Sequence, residues 1–340
     1  MASVNVLSKW FPVIGYKNKI IVGKLFKSLI DKIKGSPTLG LSDIKESFDR
    51  GLNELAKECN ANIFQMKSSG SGAFIGGISL SYSVFGQLRN VDLLSDLIMC
   101  YLYVDFILDS PSSQNSSSES NDSKKLLTNV SKIIQSDIIN LSKGLPLDKS
   151  LEDLHPTFKL YRRMTQGDLT KIKLTLDLFT TEIKSVKIQN RSDLPRDTYL
   201  KLCQEKGEST TLIIAAVLGI DLSCPKMIEQ IKLIGYAGQL MDDIIDIFDD
   251  MKDGITSIAT YDYQNNGNID DLFNFAFSLI DQFDPMFIIL RYGLMLTLAH
   301  SVSRPYHIVT PELRRKVDPY IYLDYRYGDS LENILFSLVS

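Results

Sequence analysis

Along most of the chain the apolar residues recur three and four positions apart, and the alternation of a half-buried strand is nowhere sustained. Such spacing marks one face of an α-helix, because every third or fourth side chain returns to the same side. The pattern predicts helices over 24–35, 42–60, 74–86, 91–109, 124–142, 151–163, 167–186, 196–219, 225–253, 269–300 and 311–337. The interruptions have their own chemistry. SPSSQNSSSESNDS (110–123) is too polar to pack, NRSDLP (190–195) ends in proline, and QNNGN (264–268) is rich in turn formers. No internal repeat is visible. The expectation is an all-α fold: a single large helical bundle over 41–340, led by a basic segment over 1–40, with a long loop after residue 109.

Composition narrows the class. At 340 residues, 44% hydrophobic and 23% charged, the chain has the make-up of a folded domain rather than a charged tail. Its length allows two domains, but no linker forces a split. A net charge of -4, with Lys and Arg scattered, offers no footprint for nucleic acid. The first 35 residues set Lys9, Lys17, Lys19, Lys24, Lys27, Lys32 and Lys34 against Asp31. That faintly resembles an organelle transit peptide, but without arginine a basic amphipathic first helix is the preferred reading. No stretch reaches the roughly 18 uninterrupted apolar residues of a membrane span, and no apolar core of a secretory signal is present. We therefore expect no stable membrane insertion and a cytoplasmic protein. Cys59, Cys100, Cys203 and Cys224 are far apart and read as buried free thiols. His155, His300 and His307 are isolated, which gives zinc little support.

The segment GQLMDDIIDIFDDMKDG (238–254) breaks the ordinary pattern, for it crowds Asp242, Asp243, Asp246, Asp249, Asp250 and Asp253 into a helix-spaced stretch. Aspartate is a poor helix former. Asp242, Asp246 and Asp250 lie four apart, so their carboxylates form one slowly winding stripe. Like charges at that spacing cost a few tenths of a kcal/mol, roughly, per pair, and the arrangement asks for a cation. Magnesium suits it, as a hard ion that binds through one or two carboxylates plus water and substrate phosphate. Leu240, Ile244, Ile245, Ile247 and Phe248 interleave with the acids and would hold the stripe against a core. A second pair, Asp105 and Asp109 in YLYVDFILDS, closes a hydrophobic helix. Taken alone, that pair reads equally well as a helix end opening into a polar loop. Together the two clusters read as opposed metal-binding walls.

These residues resemble the class I isoprenoid synthases: prenyl diphosphate synthases, squalene and phytoene synthases, and terpene cyclases. Gln239-x-x-Asp242-Asp243-x-x-Asp246 fits the second aspartate-rich motif of the trans-prenyl synthases, QxxDDxxD, at every position. Asp242, Asp246 and Asp250 also occupy the first, fifth and ninth places of the terpene-cyclase metal triad, with aspartates where that motif usually has Asn, Ser or Thr, and Glu. In place of the usual first motif, DDxxD, stands Asp105-x-x-x-Asp109, the looser spacing of squalene and phytoene synthases and some cyclases. Lys206, in CQEKGESTT, lies about where prenyl synthases carry a diphosphate-binding lysine, and Gly207 after it could loosen the helix. Arg326 and Tyr327, in DYRYGDS, resemble the C-terminal Arg-Tyr pair of terpene cyclases; Arg291 and Tyr292 form a similar dipeptide at the wrong distance. In isolation Lys206 and Arg326 would read as surface cations, and in register with two acidic motifs they read as ligands.

The resemblance implies a bundle of the isoprenoid synthase type with a central active-site cavity, and a reaction within it. Magnesium, as three ions with diphosphate bound, would be held by Asp105, Asp109, Asp242, Asp246 and Asp250. Lys206, Arg326 and Tyr327 would bind and activate an allylic prenyl diphosphate. Phe106 and Phe179, with Tyr101 and Phe248, are candidates to line the pocket by cation–π attraction, although ordinary core packing is the better account of each. The 110–123 loop and the Tyr327 region are candidate lids. A chain-elongating enzyme would need a second basic diphosphate site, yet the glycine-rich SSGSGAFIGG (68–77) has no Lys or Arg and none follows Asp109 closely. A one-substrate terpene cyclase is therefore the leading expectation, acting as a monomer or homodimer. Head-to-head coupling follows, then elongation. The expectation from another class is an inactive regulatory partner of a prenyl synthase.

Overall fold

A computed structural model describes residues 48–55, 57, 63–109, 119–147, 158–303 and 308–317. Every regular element among them is helical. After a helical stretch over 48–55 come α1 (Ile63–Phe85), α2 (Val91–Asp109), α3 (Glu119–Ser142), α4 (Phe158–Thr165), α5 (Leu169–Gln189) and α6 (Arg196–Leu218). There follow α7 (Pro225–Ile245), α8 (Ile247–Asp253), α9 (Ile258–Asn266), α10 (Asp270–Asp281), a short 3-10 turn (Pro285–Phe287), α11 (Ile288–Ser303) and α12 (Pro311–Val317). None is long and apolar enough to cross a membrane.

The chain divides into two compact units, with the divisions falling inside α5 and between Glu208 and Ser209 of α6. One unit takes the described residues of Thr38–Val186 together with Ser209–Cys224. Its centre is α2, apolar on nearly every side: Leu94, Leu97, Ile98, Cys100, Leu102 and Val104 are all buried, as a helix wrapped by neighbours requires. The glycine-rich stretch belongs to α1, which begins eleven residues before the expected helix (74 − 63 = 11). Its Gly77 lies against α2 so closely that a Cβ there would sit 2.7 Å from a Leu94 methyl. Two buried carboxylates in this unit meet arginines from α4: Asp96 pairs with Arg163, and Asp137 with Arg162.

The other unit holds Lys187–Glu208 and the described residues from Pro225 on. Here α7 is central, packing on α9, α10 and α11 through Ile231, Ile234, Tyr236, Leu240 and Ile244. The expected helix over 225–253 is interrupted at Asp246, whose φ of -91° and ψ of 5° depart from helical values. The interruption is one residue deep. Asp246 N still bonds to the Asp242 carbonyl at 3.0 Å, and Asp250 N to that of Asp246 at 2.8 Å. The expected helix over 269–300 is likewise divided, because Pro285 has no N–H to give and the Asp284 carboxylate caps the next turn through Met286 N at 3.1 Å. Between these, α9 was hidden by its turn-rich end. Ser257 and Thr260 form a reciprocal cap at its start, and Gly267, at a φ of 70°, ends it. Elsewhere 91–109 agrees residue for residue with α2 and 196–219 closely with α6, while α3 starts five residues early, at Glu119 (124 − 119 = 5), and shortens the expected loop.

Candidate functional site

The acidic segment meets its cation where α6 crosses α7. Gly207 and Gly235 bring the two backbones together: a Cβ on Gly207 would stand 2.1 Å from the Gly235 carbonyl oxygen. That approach corrects the expectation that Gly207 loosens α6, which runs through it unbroken. On the α6 side Cys203 and Lys206, three apart, share a face. On the α7 side Gln239 and Asp243 are four apart. A small cavity of about 10 Å³, part polar and part apolar, is lined by Tyr199, Leu202, Cys203, Lys206, Asp243 and Ser257, among others, room for roughly one water and not for a prenyl chain. The wall from the α9 cap is fixed by Thr256 N donating to the Gln189 carbonyl at 2.8 Å. Tyr199 is fixed by donating to the Arg191 carbonyl at 2.5 Å.

Asp243, not Asp242, is the buried carboxylate of the motif, at 8% exposure. The Gln239 amide donates to it at 3.0 Å and reaches Asp242 at 3.2 Å, so one side chain orients both acids. Burial pushes the Asp243 carboxyl up to about 7, and the Asp242 charge adds to this; the Gln239 bond, the Lys206 ammonium and the Cys203 thiol oppose it. Asp250, half-buried, is also pushed up to about 7, first by burial and then by Asp243 and Asp242, with the Ser257 hydroxyl and Lys206 pulling the other way. The Cys203 thiol is raised well above its usual value by burial and by Asp243, which makes it an inert neutral donor rather than a nucleophile. Asp242 and Asp246 are exposed.

Of the residues expected at the site, Lys206, Asp242 and Asp250 thus act on one another within a single unit, and Asp246 stands between the last two at the break. Asp105 and Asp109 lie near the end of α2 in the other unit, and their side chains, with that of Phe106, fall outside the described residues. Arg326, Tyr327, residues 110–118 and the expected first helix over 24–35 also lie outside them. Phe179 is enclosed at 1% exposure in the core of its own unit. Tyr101 donates to Glu182 at 3.4 Å, and Phe248 packs edge-on to Tyr263. Arg291 pairs with Asp281, a structural role consistent with its place outside the motif register. Cys100 and Cys203 are buried as expected, whereas Cys224 is exposed. Among the described residues no three His, Cys, Asp or Glu side chains gather into a metal cage of their own.

The residues that sequence reasoning missed are Gln239 as a donor, Asp243 as the buried acid, and Ser257. The first two form an i, i+4 pair on α7, a spacing visible in the sequence that does not by itself tell which acid is buried. Ser257 was not legible, because its helix went unrecognised. Compared with known proteins, the chain matches no family model and no curated protein sequence.

Proposed function

We propose that the chain is a class I terpene synthase, which uses magnesium to ionise a linear allylic prenyl diphosphate, releases diphosphate and turns the carbocation into a terpene hydrocarbon or alcohol. The observation that carries the reading is the meeting of Lys206 with the Gln239–Asp246 segment across one crossing of two helices. Asp242, Asp246 and Asp250 offer only oxygen, which is the donor chemistry of a hard dication. Magnesium takes one or two carboxylates and fills its octahedron with water and phosphate, so a row of separately placed acids suits it without a closed cage. These three, with Asp105 and Asp109, would hold the ions. When bound, magnesium neutralises the diphosphate and makes it a better leaving group.

The chain's own residues divide the remaining work. The Lys206 ammonium donates to diphosphate oxygens as negative charge develops on them. Gln239 keeps the Asp242 carboxylate turned to the site. By the resemblance, Arg326 and Tyr327 would bind the diphosphate, and Phe106 is the candidate to face the isoprenoid tail. Phe179, being enclosed, is left to core packing. Head-to-head coupling is the second reading, favoured by the Asp105-x-x-x-Asp109 spacing.

The test is incubation of the purified chain and magnesium with allylic diphosphates of increasing length, with and without isopentenyl diphosphate, followed by mass spectrometry. Hydrocarbon or alcohol formed without the acceptor supports cyclisation, unless it is the dimeric product of coupling. Longer diphosphates formed only with the acceptor would establish elongation instead. A chain that releases no diphosphate from any of them would be a binding partner and not an enzyme.

A further inference from the structure

Gly207 occupies the interior of α6, where glycine costs about 1 kcal/mol relative to alanine. The geometry shows what offsets that cost. A Cβ at this position would lie 2.1 Å from the Gly235 oxygen, 2.5 Å from its carbonyl carbon and 3.0 Å from Gln239 Cβ. The first two are backbone atoms, which no change of rotamer moves aside. Gly238, on the same stretch of α7, is the contrast: a Cβ there meets nothing within 4 Å. A second tie holds the same crossing, since Lys232 of α7 pairs with Glu208 of α6 at 3.1 Å. The backbone of α6 therefore rests directly on that of α7, immediately beside Lys206 and one turn before Gln239.

We infer that Gly207 is a positioning residue: by letting α6 lie on the Gly235 carbonyl, it sets how far Lys206 stands from the Gln239–Asp246 segment, and so the gap that a diphosphate must bridge. The inference rests on the reading of Lys206 as a diphosphate ligand. Alanine at 207 would have to push α6 away by about 1 Å to restore ordinary contact, and a displacement of that size at a reacting site costs up to about 100-fold.

The test measures binding of inorganic diphosphate in magnesium to the whole chain by calorimetry, for wild type, Gly207→Ala, Lys206→Ala and the double variant. Gly207→Ala is expected to weaken binding about tenfold. The double variant is expected to bind no worse than Lys206→Ala alone, because moving a helix whose cation is already gone removes nothing more; a general structural defect would add instead. Gly238→Ala is expected to bind as wild type does. Wild-type affinity in folded Gly207→Ala, or additive losses in the double variant, would overturn the inference. Should Gly207→Ala fail to fold, Glu208→Gln loosens the same crossing without adding atoms. A loss of about twofold that vanishes in the Lys206→Ala background is then expected, and wild-type affinity or additivity again overturns it. Failure of wild type to bind diphosphate at all would mark a different fault, the reading of Lys206 itself, and would take the assignment of Gly207 down with it.

Discussion

Both units bury aspartates, and they treat them differently. In the unit built on α2, Asp96 and Asp137 each face an arginine of α4, and Asp137 is wholly enclosed. Asp262, in the other unit, is handled in the same way, with Arg196 bridging both its oxygens at 2.7 Å. Asp243 and Asp250 are not. Among the described residues no arginine bonds to either, and an amide, a thiol, a hydroxyl and the ammonium of Lys206 are what surround them. A buried charge with a bidentate partner is structural, since the pair satisfies itself and asks for nothing further. Carboxylates crowded together with incomplete compensation keep a demand for positive charge, which is where functional sites are found.

Removing compensation where it is complete should have the largest effect. Arg162→Met removes the ion-pair partner of the enclosed Asp137, and we expect a loss of about 3–5 kcal/mol in urea unfolding. A loss below about 1 kcal/mol, the level of an exposed pair, would erase the distinction between the two groups. The next largest effect has the opposite sign. Because Asp243 and Asp250 titrate near 7 in the folded chain and near 3.9 when unfolded, the folded state binds more protons over that interval. Stability should therefore fall as pH rises from about 4 to about 7 and level off above. Asp243→Asn should flatten the fall and raise stability at pH 8 by about 1–3 kcal/mol. Thermal unfolding across pH checks this, and magnesium should restore part of the lost stability in the wild type. A variant less stable than wild type at pH 8 would mean that Asp243 is already fully compensated. The smallest effect is expected at the exposed pair of Arg191 and Asp193, bonded at 2.8 Å and 3.0 Å. Arg191→Ala should leave the melting temperature unchanged, because solvent screens both charges.

The helical class was legible from periodicity alone, and α2 was placed to the residue because its apolar run is bounded by Asn90 and a polar loop. The errors came where local chemistry overrode the period. Asp246 interrupts a helix that the spacing of Leu240, Ile244 and Phe248 joins, Pro285 divides another, and the Ser257–Thr260 cap starts one inside a stretch that reads as turn. At the site, the aspartate motif and Lys206 were legible as residue types in register. Which acid is buried was not, since Asp242 and Asp243 are neighbours on a helix, and packing against α6 decides between them. Gly207 was noticed for the wrong reason. Its meaning lies in Gly235, 28 residues away (235 − 207 = 28), and no local pattern carries that contact.

The central claim is that the aspartates of the two acidic segments serve a cation-bound diphosphate. Magnesium-dependent release of diphosphate from an allylic prenyl diphosphate tests it most directly, compared among wild type, Asp242→Ala and Asp105→Ala. The account predicts release by the wild type that stops without magnesium and falls by about 100-fold or more in each variant. Release that continues unchanged in both variants would contradict it.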